Sequence, residues 1–125
     1  MSRPTILVFD DERAIRELVG MALEPQGFDV QAFEDGPDGV AWFSEHADRV
    51  AGVVLDRMLP TTTGEQVLAQ LRAIRPDVPI LMTSGYSGPT DEQAMRDIGA
   101  TSFLGKPFRL KALLEAVNTL VGADG

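Results

Sequence analysis

The sequence lacks cysteine altogether. This absence excludes disulfides, thiolate catalysis and metal centres held by cysteine. It also fits a reducing compartment, so we expect a cytoplasmic protein. No apolar run is long enough to span a bilayer, and the N-terminus lacks the separate apolar region of a secretory signal. The sequence therefore predicts a protein that makes no use of a membrane.

Positive charge is scarce. The 125 residues include 11 lysines and arginines against 19 aspartates and glutamates, which gives a net charge of −8. This surplus of negative charge argues against broad electrostatic contact with nucleic acid, so a protein partner or a cation is expected instead. The length suffices for one hydrophobic core and not for two, and residues 1–125 are therefore predicted to form a single domain.

Short apolar runs alternate with helical patterns along the chain. Four runs are nearly continuous, as strands buried on both faces are: Thr5–Phe9, Ala51–Leu55, Val78–Thr83 and Thr101–Leu104. A fifth run, Phe28–Phe33, alternates more and is predicted to be an edge strand. Apolar residues at three- and four-residue spacing predict helices between the runs and after the last one. The pattern predicts a doubly wound α/β domain with a five-stranded parallel sheet and helices on both faces.

Polar residues follow four of the predicted strands. Asp10 and Asp11 follow the first, Asp56 the third, Ser84 the fourth and Lys106 the fifth. In an open parallel sheet the carboxyl ends of the strands share one edge, where ligands bind. We therefore expect these side chains to lie close together.

The chemistry of this set points to a phosphate and a metal ion. Three carboxylates at one place repel each other, and hard oxygen ligands without histidine or cysteine favour Mg²⁺. An aspartate can attack a phosphoryl group to form an acyl phosphate. Asp56 is the predicted acceptor, with the metal held at Asp10 and Asp11 and a fixed cation supplied by Lys106.

These motifs together resemble the response-regulator receiver domains of two-component signalling, a family that includes chemotaxis regulators. The resemblance covers essentially the whole chain and is carried by three segments and one glycine: Ile6–Glu12, Leu55–Pro60, Gly64 and Gly105–Phe108. It implies the flavodoxin-like strand order 2-1-3-4-5. It also implies that a sensor histidine kinase or a histidine phosphotransfer protein donates the phosphoryl group.

The resemblance assigns roles residue by residue. Asp56 is the phosphoacceptor, and Met58 would add a main-chain carbonyl to the Mg²⁺ ligands Asp10, Asp11 and Asp56. Ser84 and Phe103 would form the switch, with Thr83 as a second candidate for the switch hydroxyl. Lys106 would contact the phosphate, with a cis bond to Pro107. The output would be a contact between a downstream protein and the face built by the fourth helix, the last strand and the last helix.

The same residues allow other interpretations. Each motif alone is more typical of a helix cap, a turn or a solvated loop, and only their joint placement favours a site. A Mg²⁺-dependent aspartyl-phosphate hydrolase of the haloacid-dehalogenase type is the alternative function. It would need a D-x-D pattern after the first strand, where this chain has Asp10-Asp11. We expect no turnover of a free substrate, and the chain is either a stand-alone receiver or part of a longer regulator or hybrid histidine kinase.

Two further expectations concern the surroundings of the site. Glu34 and Asp35 are predicted to lie in a solvated turn. Met58 and Tyr86 each lie two positions after a site residue, where large side chains would shield an acyl phosphate from water. We therefore expect slow self-dephosphorylation.

Overall fold

Strand and helix alternate through the part of the chain that the computed structural model describes, residues 3–85 and 89–122. The strands are β1 (Thr5–Phe9), β2 (Asp29–Phe33), β3 (Val50–Asp56), β4 (Ile80–Ser84) and β5 (Ser102–Gly105). The helices are α1 (Arg13–Leu23), α2 (Gly36–His46), α3 (Gly64–Ile74), α4 (Pro89–Asp97) and α5 (Leu110–Gly122). Two short 3-10 helices, Glu24–Gln26 and Ala47–Arg49, precede β2 and β3.

The strands form one parallel sheet in the order β2-β1-β3-β4-β5. The predicted fold class and strand order are therefore confirmed. Phe9 pairs with Leu55, and Asp56 pairs with Thr83 on the next strand. This register brings the carboxyl ends of the central strands to a common edge, where the polar residues follow.

Each face of the sheet is covered by a separate hydrophobic cluster. Leu7 and Phe9 of β1 lie in the cluster that includes buried residues of α2, α3 and α4. Ile6 and Val8 point the other way, into the cluster that includes α1 and α5. Alternate residues of a strand face opposite sides of a sheet, so a nearly continuous apolar run is what such a two-sided core requires.

Local sequence explains where several helices begin and end. Thr63 and Gln66 form a reciprocal capping box at the start of α3. The helix α2 begins after the cap residue Asp35, with Pro37 in its first turn. The helix α4 ends before Gly99, whose φ of 105° only glycine adopts readily.

One strand expectation was wrong. The run Thr101–Leu104 was predicted to be buried on both faces, but β5 (Ser102–Gly105) is only half-buried along its length. It lies at an edge of the sheet and has a neighbouring strand on one side only, so its side chains are covered less completely. The predicted edge strand, β2, is confirmed at the opposite edge.

Candidate functional site

Four chain segments bring polar residues to the carboxyl edge of the sheet. Asp10 directly follows β1, Asp56 ends β3, Ser84 ends β4 and Lys106 directly follows β5. Asp10, Asp56 and Ser84 are buried, although carboxylates are rarely buried without a partner. The folded chain thus gathers the residues that the sequence singled out, and it keeps three of them away from solvent.

Lys106 is the partner of the two buried carboxylates. Its Nζ lies 2.8 Å from Oδ2 of Asp10 and 3.0 Å from Oδ2 of Asp56. The main chain binds the remaining oxygens: the N–H of Glu12 donates to Oδ1 of Asp10 at 2.9 Å, and the N–H of Met58 donates to Oδ1 of Asp56 at 3.2 Å. Both carboxylates are therefore oriented before any ligand arrives.

Charge in this cluster is not balanced. Burial raises the pKa of Asp10, and the hydrogen bond from Lys106 only partly opposes this rise. Burial is the largest single effect on Lys106 and tends to lower its pKa, but the hydrogen bonds to Asp10 and Asp56 and the attraction of their charges together raise this pKa above its usual value. One ammonium group serves more than one carboxylate, so the cluster keeps an excess of negative charge.

The carboxylates of Asp10, Asp11 and Asp56 fit a hard divalent cation. One oxygen from each lies within 4.8 Å of the others, and Asp11 is the exposed member of the three. Magnesium takes oxygen ligands and usually retains several waters, which an exposed side of the site allows. The residues present therefore suit Mg²⁺, and the excess negative charge gives a physical reason for a cation to bind.

Residues 57–63 join β3 to α3, and we refer to them as the β3–α3 loop. The N–H of Arg57 donates to the carbonyl of Thr83 at 2.9 Å, and the N–H of Gly64 donates to the carbonyl of Arg57 at 2.8 Å. A Cβ on Gly64 would lie 2.7 Å from the carbonyl oxygen of Asp56, so only glycine fits this close approach. Met58 within the loop is 71% exposed, and its side chain faces solvent beside Asp56.

The predicted switch residues lie on β4, which pairs with the strand of Asp56, and on β5, the next strand beyond it. Ser84 is buried, and its carbonyl accepts a 2.7 Å hydrogen bond from the N–H of Lys106. Phe103 is partly buried against the cluster under α2, α3 and α4. The hydroxyl of Thr83 is buried and has no hydrogen-bond partner within the described residues. The Lys106–Pro107 peptide bond is cis, as the resemblance implied. Tyr86, which was expected to shield an acyl phosphate, lies outside the described residues.

Two contacts at or near the site were not predicted from the sequence. Glu12 approaches Nζ of Lys106 at 3.7 Å, but its side chain is 60% exposed and the contact is weak. Asp35 lies in the expected turn between β2 and α2, and it also caps α2 and accepts hydrogen bonds from Thr61 and Thr62 of the β3–α3 loop. The Gly-Pro pair after Asp35 is a signal for a helix cap, whereas nothing in the sequence indicates the contact with Thr61 and Thr62.

Comparison with known proteins now decides the family. The family model for the response regulator receiver domain matches residues 6–118 of the sequence. The chain belongs to this family. The receiver domain is 37% identical over 116 residues to the response regulator MprA of Mycolicibacterium vanbaalenii, covering 93% of the chain and 49% of that protein. It thus spans about half the length of this curated relative.

Solved structures of receiver domains also superimpose on this chain. The chemotaxis response regulator CheY4 of Vibrio cholerae superimposes with a TM-score of 0.85 at 27% identity, over 95% of this chain and 99% of that one. The BeF3-activated DrrB receiver domain gives a TM-score of 0.82 at 27% identity, over 98% and 99% of the two chains. No helix within residues 3–85 and 89–122 is both long and apolar enough to cross a membrane.

Proposed function

We propose that this receiver domain accepts a phosphoryl group on Asp56 from a histidine kinase or a histidine phosphotransfer protein, in a Mg²⁺-dependent reaction, and signals through Ser84 and Phe103. The single observation that carries the proposal is the position of Lys106. Its Nζ lies within 3.0 Å of both buried carboxylates, so the cation contacts the predicted acceptor Asp56 and the predicted metal ligand Asp10 together.

The chemistry follows from the arrangement of these residues. A carboxylate oxygen of Asp56 attacks phosphorus in line with the departing group, and an oxygen–phosphorus bond forms as the phosphorus–nitrogen bond of a phosphohistidine breaks. The imidazole leaves with the electron pair and takes a proton. When bound at Asp10, Asp11, Asp56 and the carbonyl of Met58, Mg²⁺ would neutralise the charge of the transferred group. Lys106 would move from the carboxylates to a phosphoryl oxygen.

The output would come from a change of packing on one side of the domain. A phosphoryl oxygen accepts a hydrogen bond from the hydroxyl of Ser84, which moves toward the phosphoryl group. This movement of Ser84 makes room for Phe103 to turn inward. Phe103 has no phenol, so the change is steric and apolar. The face that changes is formed by α4, β5 and α5, where Leu110 is 42% exposed, and a downstream protein would bind there.

The alternative, a hydrolase of the haloacid-dehalogenase type, has less support. Its nucleophile follows the first strand, where this chain places Asp10 against Lys106, and the family match is to receiver domains. We further propose that the domain turns over no free substrate and binds no nucleic acid. We also propose that it acts in the cytoplasm.

Acetyl phosphate tests the acceptor directly. We expect intact-mass spectrometry to show one phosphoryl group added to the wild type with Mg²⁺, and none with a chelator. Asp56→Asn keeps the size of the side chain and removes the nucleophile, so it should show no adduct. An adduct that survives in Asp56→Asn contradicts the assignment. Beryllofluoride, suggested by the DrrB receiver, should shift the amide resonances of Ser84 and Phe103 in the wild type only.

A further inference from the structure

The β3–α3 loop carries Met58, and its main chain is therefore part of the proposed metal site. At its base the loop is held by the hydrogen bonds of Arg57 and Gly64 described above. Met58 and Thr63 also form an antiparallel bridge across it. These contacts leave the tip, residues 60–62, to be held by something outside the loop.

Asp35 binds that tip. It lies between β2 and α2, 26 and 27 positions from its partners, and both of its carboxylate oxygens accept hydrogen bonds. Oδ1 accepts from the N–H of Gly36 at 2.8 Å and from the hydroxyl of Thr62 at 2.9 Å. Oδ2 accepts from the N–H of Thr61 at 3.2 Å and from the Thr61 hydroxyl. One side chain thus caps a helix and holds the neighbouring loop.

The two segments also touch sterically. A Cβ on Gly36 would lie 2.5 Å from the hydroxyl oxygen of Thr62 and 2.7 Å from a methyl group of Val67. The start of α2 and the loop tip are therefore packed without a gap. The hydrogen bond from Thr61 is the largest of several effects that lower the pKa of Asp35 to about 2, so the carboxylate is charged at neutral pH.

We propose that Asp35 is a positioning residue for the metal site. It holds Thr61 and Thr62 against the first turn of α2, and Thr63 in turn is bridged to Met58. Met58 donates its N–H to Asp56, so the same contacts orient the acceptor carboxylate and the Met58 carbonyl. This inference rests on the proposed function, because it concerns the Mg²⁺ site of that reaction.

The test compares Mg²⁺ affinity in three single variants and one combined variant. Asp35→Asn keeps an acceptor for the cap but places an amide group opposite the donors of Thr61 and Thr62. Thr62→Val removes the hydroxyl that donates to Oδ1 of Asp35, so it breaks the same contact from the loop. Asp38→Asn is the matched control, because it removes the same charge from the same helical turn without touching the loop contacts described above. Mg²⁺ binding is followed by calorimetry and by the amide resonance of Met58.

We expect Asp35→Asn to raise the Mg²⁺ dissociation constant about three- to tenfold, at or below the roughly tenfold lower limit of losses seen when groups that orient metal ligands are removed. Amide exchange at Met58 should quicken. Asp38→Asn should change the dissociation constant less than twofold. The effects of Asp35→Asn and Thr62→Val should not add, because both act through one contact.

Three results overturn the inference. Wild-type Mg²⁺ affinity in Asp35→Asn, an equal loss in Asp38→Asn, or additive effects with Thr62→Val would each show that the contact does not position the site. These results leave the proposed function intact if the wild type binds Mg²⁺ and accepts a phosphoryl group. A wild-type protein that binds no Mg²⁺ overturns both.

Discussion

Nζ of Lys106 donates a hydrogen bond to Oδ2 of Asp56 at 3.0 Å, although 50 positions separate the two residues along the chain. The same amine lies 2.8 Å from Asp10. Before phosphorylation it therefore neutralises part of the charge of the acidic cluster. A phosphoryl group on Asp56 would give this amine a new partner, so one residue would serve both the stability of the resting domain and the proposed reaction.

Replacing Lys106 with methionine should separate these two roles. Lys106→Met leaves Asp10 and Asp56 buried without a cation, so the free energy of unfolding should fall by about 2 kcal/mol without Mg²⁺. Added Mg²⁺ should raise the melting temperature more in this variant than in the wild type, because the cation replaces the lost charge. Acetyl phosphate labelling should slow about a hundredfold. Lys111→Met on α5 is the control, and equal effects of Mg²⁺ on both variants would contradict the prediction.

Asp10→Asn should have the opposite effect on stability. The carboxylates outnumber the ammonium group, and burial already raises the pKa of Asp10, so its charge is unfavourable at neutral pH. We expect the variant to be about 1 kcal/mol more stable, or roughly 3–6 °C in melting temperature for a domain of this size. Mg²⁺ should stabilise the wild type and not the variant. Denaturant unfolding with and without Mg²⁺ measures both, and a variant less stable than the wild type would contradict the argument.

The sequence predicted the fold and the acidic edge for the same reason. Buried parallel strands leave nearly continuous apolar runs, and residues such as Asp10 and Asp56 that interrupt them at one end must lie at one edge. The half-buried β5 was missed, because an apolar run does not reveal how many neighbours its strand will have. The contact of Asp35 with Thr61 was missed because it joins two loops, and no periodic pattern records which loops meet.

Two neighbouring hydroxyls compete for the switch role, and a pair of variants distinguishes them. Ser84→Ala should still be phosphorylated but lose the resonance shift at Phe103 that phosphorylation causes. Thr83→Val should keep that shift. It should also stabilise the domain by about 1 kcal/mol, because it replaces a buried hydroxyl that has no hydrogen-bond partner in the described part of the chain. Loss of the shift in Thr83→Val alone would move the switch to Thr83.

The pH dependence of stability provides an independent test of the Asp35 contact. Its pKa is lowered from 3.8 to about 2 in the folded chain, chiefly by the Thr61 hydroxyl. A lowered carboxyl pKa stabilises the fold above the unfolded value and loses this effect as pH falls through the folded value. The advantage of the wild type over Asp35→Asn should therefore be constant above about pH 4 and shrink towards pH 2. Urea unfolding of both proteins measures it, and a constant difference throughout would contradict the assigned cause.

Met58 should control how long the phosphoryl group persists. Its side chain is 71% exposed and comes two positions after Asp56, where its bulk would hinder the approach of water to an acyl phosphate. Met58→Asn replaces it with a smaller side chain that can hydrogen-bond an attacking water, so label should be lost several-fold faster. Combining it with Tyr86→Ala, the other large residue two positions after a site residue, should quicken the loss further. The exposed Met21 on α1 is the control, because Met21→Asn changes the same side chain away from the site. Unchanged decay in the combined variant, measured by intact mass after removal of acetyl phosphate, would show that these side chains do not shield the acyl phosphate.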